Sequence, residues 1–399
     1  MEPCSESNRW SRPRSRRTAG GRDALSNRVS RVKIVHFADL HLDSGFAWAG
    51  ADGAAARQRR QSLRDSLKRI AELAADIEAG ALFCGGDLYE HDRATPDTAR
   101  FLQAAFAHLA PCPVYIAPGN HDWYGPDSLY ALVDWSPNVH VFREPRLEPV
   151  DLGNGLTLWG AAHCAPANTG NFFEGFLAEG PGVHVALCHA AERTGLAEQG
   201  SEKLPHAPFD ARDIERAGLQ HAFLGHYHRP RDAARHTYPG NPDPLAFGED
   251  GERGAVVATI GADGSVTRER RLVAATAAHD LLLGITGCTS QQAVRDRLGR
   301  VADGRRGVAR LTVEGELHPE VDLREEDLRQ VLLRSFDAVQ VRFSAMHAGY
   351  DTEEIVREET VRGQFVRDVL EAGLPDDEAR RVLAAGLRAL EGRTDLETL

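Results

Sequence analysis

The chain has 399 residues, 42% apolar and 27% charged, enough to build a sizeable core in two or three domains. It holds no run of about 18 apolar residues, which excludes an ordinary transmembrane helix, and its first 31 residues lack an apolar stretch of the secretory type. The formal net charge is -12, yet the first 31 residues carry eight Arg against Glu2, Glu6 and Asp23, so the remainder holds -17. Such an acidic body is unlike a dedicated nucleic-acid-binding module. A DNA enzyme of this charge needs metals, local basic patches or a partner to offset repulsion from phosphate.

In chain order, residues 1–30 are rich in Arg, Ser and Gly and poor in apolar residues, the composition of a disordered tail. Val32 to Phe37 then forms a strand-like apolar run ending in Ala38-Asp39-Leu40-His41. Leu63, Leu67, Ile70 and Ile77 share one face of a helix, with Gly80 as its expected stop. Arg57, Arg59, Arg60 and Arg64 make the start of that helix basic and are expected on a solvated face. Ala81 to Cys84 predicts a short buried strand ending in Gly85-Gly86-Asp87. Pro96 to Leu109 predicts a second helix with Pro in its first turn, and Val114 to Ala117 a strand ending in Pro118-Gly119-Asn120-His121-Asp122.

Further strands are expected at Leu156 to Gly160, Val183 to Cys188, His221 to Leu224 and Ala255 to Ile260. The early strand-helix alternation followed by a strand-dense half predicts an α/β domain over residues 31–275, built as a two-sheet β-sandwich flanked by helices. Strands at His279 to Thr286, Val308 to Val313 and Val339 to Phe343, with helices at Gln291 to Val301 and Glu325 to Arg334, predict a small α+β module over 276–348. Residues 349–399 read as helical. Val382, Leu383, Leu387 and Leu390 form an apolar stripe that either packs on its own domain or docks a partner.

The polar residues at the predicted strand ends are Asp39 with His41, Asp87, Asn120 with His121 and Asp122, His189, and His226 with His228. Ligands gather beyond the carboxyl ends of strands in α/β sheets, so five strand ends can converge on one rim. Asp-x-His and His-x-His place two donors on the same side of an extended chain. Carboxylate, imidazole and an Asn carbonyl suit Mn, Fe, Zn or a similar divalent ion. Seven candidate ligands exceed the need of one tetrahedral site and suit two ions sharing a carboxylate. The six cysteines include no CxxC pair, so neither a zinc knuckle nor a disulfide framework is indicated, and a reducing cytoplasm is expected. Cys84 and Cys188 lie inside apolar runs and are expected to pack in the core, while His36, His163, His184 and His221 read as core or surface groups.

Asp39-Leu40-His41, Gly86-Asp87, Gly119-Asn120-His121-Asp122, His189 and Gly225-His226-Tyr227-His228 resemble, in order, the five blocks of the calcineurin-like metallophosphoesterases. Phe37 to Ser44 and Tyr238-Pro239-Gly240-Asn241 resemble the SbcD-type DNA-repair exonucleases more finely, with Asn241 where that group has Ser. The resemblance implies a first metal on Asp39, His41, Asp87 and His228. It implies a second on Asn120, His189 and His226, with Asp87 bridging and manganese the usual ion. It further implies a hydroxide between the ions as nucleophile, and His121 beside the leaving oxygen as general acid or electrostatic stabiliser. Asp122 would either orient His121 or cap the following loop. An SbcC-type ATPase bound through C-terminal helices, DNA as substrate and a homodimer follow from the same likeness. A phosphatase or cyclic-nucleotide phosphodiesterase with the same core is the alternative, although protein phosphatases of the superfamily carry Glu where Asp122 stands. A non-catalytic scaffold of an ATPase complex is a third reading, against which the complete ligand set counts.

Overall fold

The structure is a computed structural model that describes residues 31–49, 53–194 and 206–393. The Arg-rich tail over 1–30 lies outside the described residues. Two six-stranded sheets form the body. The first runs β12 (Val266–Leu272), β11 (Gly254–Ile260), β1 (Val32–Phe37), β2 (Ala81–Cys84), β3 (Val114–Ile116), β4 (Val139–Val141). Strands β1 to β4 are mutually parallel, and β11 joins β1 antiparallel. The second sheet runs β5 (Glu148–Asp151), β6 (Leu156–Gly160), β7 (Val183–His189), β8 (His221–Gly225), β10 (His236–Tyr238), β9 (Arg231–Asp232), with β6, β7 and β8 parallel.

The sheets face each other across a core of Ile34, Phe83, Phe142, Leu158, Val185, Leu187, Phe223 and Val256, all fully or nearly fully buried. Helices α1 (Ala54–Asp76) and α2 (Pro96–Ala107) cover the outer face of the first sheet through Leu63, Leu67, Ile70, Leu102 and Phe106. Each such buried side chain contributes about 1.5–3 kcal/mol. Pro96 opens α2, and the Thr95 hydroxyl accepts a hydrogen bond from Thr98 N at 3.2 Å, satisfying an amide with no partner inside the helix. A helix at Ala211–Arg216 and the aromatic residues Phe172, Phe173 and Phe209 cover the second sheet. The body is thus a mixed α/β sandwich of two multi-stranded sheets flanked by helices.

Arg59 corrects the solvated-face reading of α1. It is buried, bonded to Asp243 at 2.5 Å and to the Pro244 carbonyl. Asp243 also accepts from Ser66 Oγ at 2.9 Å, Ala275 N at 2.6 Å and Thr276 N at 3.0 Å. That network ties α1 to the chain just before a third sheet.

The third sheet comprises β13 (Ala278–Gly284), β14 (Gly307–Leu317) and β15 (Phe336–Ala348), all parallel, joined through helices Gln291–Ala302 and Glu325–Leu332. Its core includes Leu283, Leu298, Leu311, Val313 and Leu328. Ala278, Val308 and Ala338 meet Trp48 and Phe247 of the body. Helices Thr352–Ile355, Val361–Glu371 and Asp376–Leu390 follow. Of the C-terminal stripe, Leu383 and Leu387 pack against Ile355, Val366 and Val369, whereas Val382 and Leu390 are exposed. Among the described residues no helix is long and apolar enough to cross a membrane.

Candidate metal centre

The two sheets bring the carboxyl ends of β1, β2, β3, β7 and β8 to one rim. Asp39 and His41 follow β1, Asp87 follows β2, Asn120 to Asp122 follow β3, His189 closes β7, and His226 and His228 follow β8. The backbone here is not extended, contrary to the reading of Asp-x-His. Asp39, His41 and Asp87 have φ of 56, 50 and 51°, and His226 has φ of 116°. Positive φ costs a side-chain-bearing residue about 1–2 kcal/mol. It is held here by hydrogen bonds between the loops after β1 and β2: Asp39 N to Gly86 O and His41 N to Asp87 O, both 2.9 Å. Strained backbone fixed by its surroundings is a usual companion of functional sites. Two glycines permit the closeness. A Cβ on Gly119 would fall 2.3 Å from Asp87 Oδ1, and one on Gly225 2.1 Å from the Gly85 carbonyl.

Ligand atoms of Asp39, His41 and His228 all lie within 4.8 Å of one another, as do those of Asp39, Asp87 and His189. Asp87 stands between two imidazoles, its Oδ2 being 3.6 Å from His41 Nε2 and 3.4 Å from His189 Nε2. The rings of His189 and His226 are 5.3 Å apart. Asp87, Asn120, His121, His226 and His228 line a cavity of about 540 Å³, together with His206, Arg229, Glu249 and Arg253.

Three buried polar atoms of this set, His41 Nε2, His189 Nε2 and Asn120 Oδ1, have no hydrogen-bond partner. Orphaned buried polar atoms are rare, and divalent cations would satisfy them. The far side of three of the four imidazoles is anchored: His41 Nδ1 on Glu90 Oε1 at 2.8 Å, His228 Nδ1 on Glu249 Oε1 at 2.8 Å, and His189 Nδ1 on the Gly85 carbonyl at 2.9 Å. With Nδ1 donating to an oxygen, Nε2 presents its lone pair to the centre, the tautomer a metal ligand needs. The donor set therefore fits two divalent cations.

The electrostatics agree. Burial first, and the charge of Asp87 second, push the Asp39 carboxyl well above its usual range. Burial acts on Asp87 in the same sense, but the imidazoles of His189, His41 and His121 outweigh it and hold Asp87 below the usual carboxylate range. Glu90 is likewise opposed by burial but drawn down to about 2 by hydrogen bonds from His121 and His41.

His121 faces the cavity with its side chain 46% exposed, and its Nδ1 bonds Glu90 Oε2 at 2.9 Å. The Glu90 bond, against burial and with help from Asp87, raises this imidazole to about 9. Asp122 does not touch it. The buried Asp122 carboxylate accepts from Asp87 N (3.1 Å), Gly119 N (2.6 Å), Leu88 N (2.7 Å) and Tyr130 OH (2.5 Å). It therefore clamps the loops carrying Asp87 and Asn120, and Glu90 takes the expected orienting contact. Burial, then Asp87, push Asp122 up to about 6 against the donors Tyr130 OH, Leu88 N and Gly119 N.

Sequence reasoning did not single out Glu90, Glu249 or His206. Glu90 follows Asp87 by three residues and had a local signal; Glu249 is 21 residues from His228 and had none. Cys84 and Cys188 are buried in the core. His36, His163, His184 and His221 are buried, and His163 Nε2 supports the His189 carbonyl at 2.7 Å. Tyr124 packs at the edge of the first core under the Arg143 guanidinium.

A sandwich with this rim of carboxylates and imidazoles defines a metal-dependent phosphoesterase. The model of the calcineurin-like phosphoesterase family matches residues 32–230, and the chain belongs to the calcineurin-like metallophosphoesterase superfamily. The metallophosphoesterase YhaO of Bacillus subtilis (strain 168), described as uncharacterized, is 26% identical over 267 residues, covering 64% of this chain and 62% of that protein. The chain thus spans less than two thirds of this relative's length. Among solved structures, the protein TT1561 of Thermus thermophilus is 13% identical with a TM-score of 0.33, covering 60% of this chain and 99% of that one. A dimetal phosphatase from Danio rerio is 11% identical with a TM-score of 0.33, covering 60% and 98%. Likenesses this slight carry no weight for substrate.

Proposed function

We propose that this metallophosphoesterase hydrolyses phosphodiester bonds in DNA, as a repair exonuclease or endonuclease of the SbcD type. The observation that carries the hydrolytic part is His121. Its imidazole is raised to about 9 and opens onto the cavity beside Asp87, Asn120 and His228. A protonated imidazole in this place can give its proton to a departing oxygen. Glu90 fixes the ring and balances its charge. Asp39, His41, Asp87 and His228 would hold one divalent cation, and Asp87, Asn120, His189 and His226 the second, manganese being expected with iron or zinc as alternatives. When bound, such a pair supplies Lewis acidity toward the phosphoryl group and a lowered pKa for water. Arg229, exposed on the cavity wall, offers a cation to a neighbouring phosphate.

DNA is favoured over other esters by the Tyr238-Pro239-Gly240 segment and the opening Phe37 to Ser44 block. An acidic body calls for help in gripping DNA, and the reading includes an SbcC-type ATPase as partner, a homodimer and a cytoplasmic site of action. Exposed Val361, Leu370, Val382 and Leu390 on the last two helices are the surface assigned to that ATPase.

The test is manganese-dependent hydrolysis of a labelled linear duplex, beside His121→Ala and a bis-p-nitrophenyl phosphate assay. Degradation of DNA by the native chain, reduced about 10²–10⁴-fold in the variant, is the expected result. Cleavage of the small diester alone, with the ATPase partner present as well as absent, would overturn the DNA assignment in favour of a phosphatase or cyclic-nucleotide phosphodiesterase. Absence of both activities from the native chain would favour the scaffold, and activity indifferent to substituting Asn120 or His121 would overturn catalysis at this centre.

A further inference from the structure

The two halves of the centre are supported differently. At the Asp39–His41–His228 pole, both imidazoles donate Nδ1–H to a carboxylate, His41 to Glu90 and His228 to Glu249, each at 2.8 Å. Glu249 is itself fixed: its Oε2 accepts from Leu245 N at 2.7 Å and Asn241 Nδ2 at 2.5 Å. Asn241, fully buried, is in turn bonded through Oδ1 by Arg253, which also reaches the His228 carbonyl at 2.6 Å. The Tyr238-Pro239-Gly240-Asn241 segment is thereby the frame of His228. At the other pole, Asn120 brings a neutral amide and His189 Nδ1 rests on a neutral carbonyl, Gly85 O, at 2.9 Å. No carboxylate supports the ring of His226 among the described residues. Asp87 is common to both poles, so it does not distinguish them.

A carboxylate bonded to Nδ1–H fixes the ring and makes Nε2 a stronger donor, an effect worth roughly 10–100-fold in metal affinity. Asp39 lies within reach of Asp87 and His189 as well as of His41 and His228, so the difference rests on the two carboxylates, Glu90 and Glu249, behind the imidazoles of the first pole. Resting on the dinuclear reading above, we infer that Glu90 and Glu249 are positioning residues that make the poles unequal, so that a divalent cation binds Asp39–His41–His228 more tightly than Asn120–His189–His226.

The test is calorimetric titration of the chelator-stripped full chain with Co²⁺, followed in parallel by visible absorption of the bound ion. Two binding events separated by roughly tenfold or more are expected. Glu249→Gln keeps an acceptor for His228 Nδ1 but removes the charge; it weakens the tighter event roughly 10–100-fold and leaves the weaker one in place. Asn120→Ala removes the weaker event alone. If Glu249→Gln does not fold, Asn241→Ser, which withdraws the amide from both Glu249 and Arg253, gives a smaller loss in the same event. Two equal events in the native chain, or a Glu249→Gln change confined to the weaker event, would overturn the assignment. Hydrolysis plays no part in this readout, so unequal binding with no DNA cleavage sinks the proposed substrate and leaves the inference standing. Failure to bind any cation sinks both.

Discussion

Asp122 separates two ways of building this centre, and its substitution can be worked out donor by donor. In Asp122→Ala the amides of Asp87, Leu88 and Gly119 and the Tyr130 hydroxyl all lose their acceptor. An orphaned buried donor costs about 1–3 kcal/mol, so the three amides alone cost about 3 kcal/mol at the least, a large part of the ~5–15 kcal/mol that stabilises a typical domain. In Asp122→Asn, with its carbonyl on the Oδ1 side, Asp87 N and Gly119 N keep their acceptor. The side-chain NH₂ then opposes Leu88 N–H, while the Tyr130 hydroxyl can turn to accept. One conflict remains, about 1–3 kcal/mol. The expected order of urea midpoints is therefore native, then Asn, then Ala. Because the clamp holds the loops of Asp87 and Asn120, the Asn variant also binds manganese more weakly. Its imidazole proton donor, however, is held by Glu90 and not by residue 122. The alkaline limb of the pH–rate profile must then move far in Glu90→Gln, which loses the hydrogen-bonded carboxylate, and only slightly in Asp122→Asn, whose charge is the smaller influence on His121. A limb that shifts equally in both variants, or an Ala variant as stable as the native chain, would refute the reasoning.

Two further outcomes follow from buried charges away from the centre. His221 is buried, shares a hydrogen bond with Thr237 Oγ1 at 2.9 Å, and is lowered from 6.5 to about 3 by burial and then by Arg268. A histidine depressed in the fold takes up protons only when unfolded, so its stability is complete above 6.5 and is lost as pH falls from there toward 3. Between about pH 7.5 and about pH 5.5 this amounts to about 1.4 kcal/mol, which His221→Gln should remove from the pH dependence of urea unfolding in chelator; identical pH dependences in both proteins would count against it. Arg59→Met leaves Asp243 buried without its cation and should cost about 3–5 kcal/mol by denaturant unfolding, a loss partly recovered by adding Asp243→Asn; equal losses in the single and double variants would show that the pair is not coupled.

Much of the fold was legible because strands buried on both faces read as unbroken apolar runs. Val183–His189 and His221–Gly225 are buried at every position, and both stood out. Strand β12, of sequence VTRERRL, did not: it is a sheet edge with one face in solvent, where arginine is tolerated and no apolar run need appear. Strands β4 and β5 are three and four residues long, too short for an alternation to register. Arg59 failed for a different reason. Its helix position looks solvated locally, and only Asp243, 184 residues away, makes burial of a guanidinium tolerable.

The same distinction divides the centre into a layer that could be read and one that could not. Every candidate ligand sits within a few residues of the end of a strand, because a parallel sheet delivers its loops to one rim and any strand end can contribute. The residues behind the ligands obey no such rule. Glu249 reaches His228 across a loop, Asp122 serves amides 34 and 35 residues earlier, and the Gly85 carbonyl accepts a hydrogen bond from His189, 104 residues away. Even the conformation of the ligands belongs to this second layer. Asp39, His41 and Asp87 hold positive φ without a glycine to signal it, since the cross-loop bonds from Asp39 N and His41 N exist only once β1 and β2 are paired. Local sequence thus specifies which donors reach the rim. Their tautomer, charge balance and orientation, which decide how tightly a cation is held, are set by contacts that form only when the sheets close.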